Sequence, residues 1–240
     1  YIMRYRKLSE LFPEIRQYSN VSWVLDLLEV LINDARSLLR LPLCEYEGGC
    51  NFVLFNVICH LIDAVSFFFY NPDEGIIKMI SKKGRPNSKL LFKALLKKYY
   101  PWERDEIKDI KEREEIVEIL WEVRNSITHR LGIHIPSLSS EKNRVSLDKH
   151  PLTQEEIARL EDLNKNISKK AFRREDGLTI NLPVFYRRFL ETLRNLFKDE
   201  ESMRNADEKL KNVVNELRVT YSGTIVSKII EGKFSKDDIS

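Results

Sequence analysis

Cysteine is scarce in this sequence, and what there is does not pair. Cys44, Cys50 and Cys59 make an odd count with no CxxC spacing. That argues against a disulfide framework or a zinc site and favours reduced thiols. Glycine and proline number only eight each in 240 residues, so long uninterrupted helices are permitted. Neither sign of charge dominates: 40 Lys and Arg against 37 Asp and Glu leave a net +3. Such a balance argues for no polyanionic partner without a local cluster. A Gly-rich phosphate loop, GxSxG and HExxH are all missing, which removes support for kinase, serine-hydrolase and zinc-protease chemistry. The opening residues do not read as a signal peptide, and we expect a cytoplasmic protein.

A single run is apolar at length: NFVLFNVICHLIDAVSFFFY, residues 51–70. Its length suits a membrane span, yet Asn56, His60 and Asp63 fall inside it. An Asp at a bilayer centre costs roughly 2.5–3.5 kcal/mol, so we expect a buried central helix and no membrane. Spaced i, i+4 and i+7, Asn56, His60 and Asp63 form one polar stripe. That stripe either borders a substrate-binding cleft, with Asp63 orienting His60 or pairing Arg124, or satisfies itself internally through a His60–Asp63 contact.

Helical periodicity accounts for most of what remains. Helices are expected over 19–42 and 51–70, and from Asn87 or Ser88 through about Tyr99. A helix-forming stretch follows from about Glu103 to Leu131, with a break near 110–112 and Gly132 as its stop. Thr153 and Glu156 fit a capping box opening a helix over about 154–170, and further helices follow at 183–200 and 205–219. Residues 134–151 read as a polar loop holding a short strand at 144–147, and 176–183 as a turn with a brief extended piece. The tail beyond Gly232 should fray. The expected fold is all-α: one up-and-down helical bundle over 1–240, with its core at about 20–135, additional C-terminal helices at about 150–220, and one short β-hairpin.

WEVRNSITHRLG, residues 121–132, closes the longest amphipathic stretch. At about 100° per residue, Ile116, Leu120, Val123 and Ile127 share one core-facing stripe. Arg124 flanks that stripe, while Trp121, Asn125, Thr128 and His129 fall beyond it. A solvated face would carry Glu and Lys, as KEREE at 111–115 does; Trp and neutral polar residues there predict a packed interface, and a second copy is the economical partner. His titrates near neutrality and moves protons, and Arg holds phosphate through forked donors. Asn125, four residues before His129, is placed to fix the imidazole tautomer. His129 and His134 lack nearby Cys, Asp or Glu, so no metal and no cofactor are expected.

RNSITH, residues 124–129, resembles the R-polar-x-x-x-H signature of the HEPN domains (higher eukaryotes and prokaryotes nucleotide-binding), helical bundles that dimerise. The order of an amphipathic helix, a very apolar one and then the motif helix is similar as well. The resemblance implies a metal-independent endoribonuclease with a composite site at a homodimer interface, in a defence or toxin-type response and with a neutralising protein partner unknown. Catalytic roles fall to Arg124, His129 and Asn125. The RNA 2′-hydroxyl attacks the adjacent phosphate, His129 acts as general base or acid, and Arg124 stabilises the phosphorane charge. Family members that have lost the reaction bind RNA, a nucleotide or a partner protein, which is the alternative; a structural bundle with an accidental motif is the third. HRL follows where toxins paired with a nucleotidyltransferase carry His-x-Tyr, which argues against control by tyrosine modification.

KKGRPNSKLLFKALLKK, residues 82–98, holds seven Lys and Arg and no acid. Within it, Lys89, Lys93 and Lys97 line up at i, i+4 and i+8, either as a substrate-binding track for a phosphate backbone or as a solvated face.

Overall fold

Helix α2, Ser19–Arg40, shows how the bundle is tied together. Val21, Val24, Leu25, Leu28, Ile32, Ala35 and Leu39 recur at helical spacing and are all buried, so burial of one face drives its folding. Its ends, where backbone groups lack intrahelical partners, are closed by distant side chains. Asp207 Oδ1 accepts the backbone N–H groups of Asn20 (2.8 Å) and Val21 (3.1 Å). At the other end the buried Lys149 donates to the carbonyls of Leu38 and Leu41, 2.7 Å each.

The structure, a computed structural model, describes residues 7–41, 49–70, 87–130, 145–174 and 177–221. Among them the chain is mostly helical. A short α1 (Leu8–Leu11) leads to α2, then α3 (Gly49–Phe68), α4 (Ser88–Tyr99) and α5 (Ile110–Arg130). After them come α6 (Gln154–Glu161), α7 (Leu182–Phe197) and α8 (Glu200–Tyr221). The expected stop at Gly132, most of the 134–151 loop, His134, Cys44 and the tail beyond Gly232 lie outside the described residues.

Helix α3 packs against α2, α4, α5 and α7, which explains its apolar sequence. Its Cys50–Phe68 stretch is long and apolar enough to cross a membrane, but half of it is buried inside the protein. That is the pattern of a core helix. The buried side chains, from Leu8 and Phe12 through Val214, join in one core.

The sheet is larger than the hairpin expected from sequence. Strands β2 (Phe172–Arg174) and β3 (Leu178–Asn181) pair antiparallel, with Phe172 opposite Ile180 and Arg174 opposite Leu178. Gly177, at φ 128°, enters β3 with a backbone that a side chain would disfavour. Strand β1 (Val145–Asp148) then adds in parallel along β3, Val145 opposite Leu178 and Asp148 opposite Asn181. Such a distant partner leaves no local turn signal in the sequence. Phe172 carries the sheet onto the bundle through Phe185 (ring centroids 5.6 Å apart).

Helix α6 begins as expected, with Thr153 Oγ1 accepting from Glu156 N at 3.2 Å and Glu156 Oε2 from Thr153 N at 2.8 Å. It ends at Glu161 rather than near 170. Arginines of α7 hold the following segment in an irregular path. Arg187 donates to the Leu160 and Lys165 carbonyls (2.7 Å each), Arg188 to Lys169 (3.0 Å) and Arg194 to Leu163 (2.8 Å). Side-chain donors capture carbonyls that a continued helix would have used itself. The fully buried Arg188 also meets Asp105, whose Oδ1 accepts Ala171 N at 2.6 Å and whose Oδ2 accepts the Tyr100 hydroxyl at 2.6 Å.

Candidate functional site

Two of the residues singled out from the sequence meet. Arg124 on α5 donates through Nη2 to Asp63 Oδ2 on α3, forming an ion pair between two adjacent core helices. Both side chains are largely withdrawn from solvent, at 13% and 15% exposure, so solvent screens their attraction less than on the surface. The Arg124 guanidinium also lies over the Trp121 ring, 4.9 Å from its centre, a cation–π contact that fixes the plane of the fork.

Asp63 is short of donors for its second oxygen: Oδ1 is buried and has no hydrogen-bond partner among the described residues. Burial pushes its carboxyl above the ordinary aspartate range, while Arg124 and His60 pull it back. No hydrogen bond joins His60 to Asp63 among the described residues. Instead His60 Nδ1 sits 2.9 Å from the carbonyl of Asn56 on its own helix. A carbonyl only accepts, so Nδ1 carries a proton and donates to it. One turn earlier, Cys59 is buried, and burial together with Asp63 holds its thiol well above the usual range. That thiol is unreactive.

His60 and Asp63 open onto a cleft of about 540 Å³, lined also by Ser66, Phe67, Phe68 and Leu91. Its wall is mostly apolar, with polar groups contributed by His60, Asp63 and Ser66 of α3 and by Ser88 at the start of α4. Along the same helix Phe52, Val53 and Phe67 are about half exposed (47%, 50% and 46%), an unusual concentration of large apolar side chains facing out.

One expectation is overturned here. Trp121 does not stand on an outer face open to a second copy. It is 9% exposed and packs edge-on against Phe92 of α4, ring centroids 5.4 Å apart. Helix α5 touches both α3 and α4, so more than one stripe of it is buried, and the residue type that suggested an interface fills an internal seam. Asn125 is half-buried beside Arg124. His129 belongs to the last turn of α5, but its side chain, and the expected contact with Asn125, lie outside the described residues. Asn56 contributes its carbonyl to His60.

The lysine stripe is not an open track. Lys89 reaches Glu118 at 2.5 Å, Lys93 reaches the other oxygen of the same carboxylate, and Lys97 reaches Glu114 at 2.6 Å. Burial and the two flanking lysines lower the Lys93 ammonium. The stripe faces the acidic flank of α5, the KEREE end of the motif helix, and closes the α4–α5 seam. Among the described residues no group of His, Cys, Asp and Glu could hold a metal ion.

Comparison with family models, with curated proteins and with solved structures finds no match to this chain. An arginine fork is braced by a carboxylate on one side and an indole on the other, and that carboxylate lines a cleft together with an imidazole.

Proposed function

We propose that this chain is a HEPN-like, metal-independent endoribonuclease that works as a homodimer, in a defence or toxin-type response. The observation that carries the reading is the Asp63–Arg124 pair at the His60 cleft. The arginine of the RNSITH motif is held by the polar stripe of the preceding apolar helix, so two separate sequence signals belong to one place. In this reading the RNA 2′-oxygen attacks the adjacent phosphorus and the P–O5′ bond breaks. His129 moves the proton as general base or acid, with Asn125 beside it. Arg124 meets the charge gathering on the phosphorane oxygens. Asp63 is a positioning residue: it keeps the guanidinium aimed before substrate arrives. The half-exposed Phe52, Val53 and Phe67 support a second copy packing along α3, which brings a second Arg124–His129 pair to the same region.

A second reading has its own support. Because Asp63 already answers the Arg124 charge, the site also suits a catalytically inert module that binds RNA, a nucleotide or a partner protein. Cleavage of a mixed RNA pool in EDTA separates the two. The expectation is wild-type cleavage leaving 2′,3′-cyclic phosphate and 5′-hydroxyl ends, with Arg124→Ala and His129→Ala each slowed by about 100-fold or more. Absence of wild-type cleavage, or equal cleavage by all three, removes the enzymatic reading and leaves the binding module.

A further inference from the structure

A second cavity lies away from the His60–Asp63 cleft, where the β1 end, α6 and the start of α7 come together. It measures about 560 Å³, within the usual size of small-molecule sites. Its composition is two-sided. The apolar part is made by Leu152, Leu160, Ile167, Pro183 and Val184, and the rim carries Arg159, Lys165 and Lys169. These three cations stand exposed, unlike Lys149, which also touches the cavity but spends its ammonium on the end of α2.

Cations outnumber acids on the rim, with Arg159, Lys165 and Lys169 against Asp148 and Glu156, and each acid already has a partner. Asp148 pairs with Arg173 at 3.3 Å. Glu156 is taken by its own helix start, accepting from Thr153 N and Oγ1 at 2.8 and 2.9 Å. Lys165 has only a loose 3.5 Å contact with Asp162, and neither Arg159 nor Lys169 forms an ion pair among the described residues. Arg159 and Lys169 both line the cavity, as does the Glu156 carboxylate. At its edges Asn166 and Asn181 add amides. The Asn166 Oδ1 accepts from Arg104 at 2.5 Å and the Asn181 Oδ1 from Val184 N at 3.2 Å, which turns their NH2 groups into the available donors.

We propose that this cavity is a binding site for a small phosphate-bearing ligand with a flat, largely apolar body, of nucleoside monophosphate size. The phosphate meets Arg159 and Lys169, with Lys165 beside them, and a forked guanidinium suits it best. The flat body rests on Leu152, Ile167 and Pro183, and the Asn166 and Asn181 amides meet its ring heteroatoms. The site is independent of the ribonuclease reading, since it includes neither Arg124 nor any residue of the His60–Asp63 cleft. The segment 162–169 forms one wall and is itself hung from Arg187, Arg188 and Arg194 of α7, so the wall is set before ligand arrives.

Titration calorimetry on the full chain tests this, with AMP, GMP, CMP and UMP as probes, and with adenosine and inorganic phosphate as halves. At least one nucleotide should bind saturably, and each half should bind at least tenfold more weakly than AMP or its best homologue. Arg159→Glu with Lys169→Glu should weaken nucleotide binding by at least 30-fold without moving the thermal midpoint, since both side chains are exposed. Arg124→Ala should leave binding unchanged. The proposal is overturned by any of three results: no saturable binding of all four probes, phosphate binding as tightly as the nucleotides, or binding that follows Arg124 rather than the Arg159/Lys169 pair. The last result would put the nucleotide in the other cleft, and RNA cleavage assays would remain to judge that cleft separately.

Discussion

At the scale of single residues, two aspartates show burial and hydrogen bonding pulling in opposite directions. Burial alone would raise the Asp199 carboxyl, but hydrogen bonds from the Tyr99 hydroxyl (2.6 Å) and Ser202 N (3.0 Å), with Lys98 nearby, hold it at about 2. A carboxyl depressed in the folded state adds stability above its ordinary value of 3.8 and loses it as pH falls toward about 2. Allowing for its partial exposure, the contribution at neutral pH is about 1–2 kcal/mol. Urea unfolding of Asp199→Asn should therefore show that deficit at pH 6, and the gap to wild type should close between pH 4 and pH 2. A gap that stays constant with pH would mean the loss comes from helix capping geometry alone. Asp63 carries the opposite sign. Its raised carboxyl favours the folded state as pH falls through the raised range and gives that contribution up as pH rises. A carboxylate kept ionised there by Arg124 is held against burial, which suits a group whose task is to position a cation.

Between elements, the α4–α5 seam and the α6–α7 segment explain what could and could not be read beforehand. Lys89, Lys93 and Lys97 were legible as a stripe because helical spacing is a local property. Their partners Glu114 and Glu118 were not, because pairing across helices is settled by which faces meet. Exposed pairs of this kind contribute at most about 1 kcal/mol each. Replacing Lys89, Lys93 and Lys97 together by Gln should shift RNA affinity less than threefold and leave the salt slope of log K within about one unit of wild type. A slope reduced by about three would return the stripe to the substrate path, and filter binding at several salt concentrations reads this directly. Helix starts were visible in Asn87 and Thr153, since a capping side chain lies within three residues of its target. The end of α6 was not visible, because the arginines that redirect the chain come from α7, some twenty to thirty residues later. Trp121 was misread for a related reason: aromatic residues fill interfaces between helices of one chain as readily as between two chains.

For the molecule as a whole, the order of helices and the central place of α3 followed from hydropathy, while the parallel addition of β1 depended on contacts distant in sequence. The same distinction bears on assembly. Among the described residues, large apolar side chains stay outside on α3, at Phe52, Val53 and Phe67, on α2, at Leu27 and Val30, and at Leu41 and Ile110. Sedimentation of the wild-type chain should show a dimer, and Val53→Glu with Phe67→Glu should convert it to a monomer with its helical content intact. A wild-type monomer at tens of micromolar, or a double variant that still dimerises, would remove α3 as the contact between copies.

The clasp between Asn20 and Asp207 also has a meaning in time. Asn20 donates from its backbone and side chain to Asp207 (2.8, 3.1 and 3.2 Å), across 187 residues of chain. At about 5–20 residues per second of synthesis, the start of α2 waits roughly ten to forty seconds on the ribosome for its cap to be made. Through that interval α2 lacks the packing that α8 later supplies. Nascent α2 therefore keeps an apolar face uncovered until α8 has been made, the moment at which its first turn is also capped.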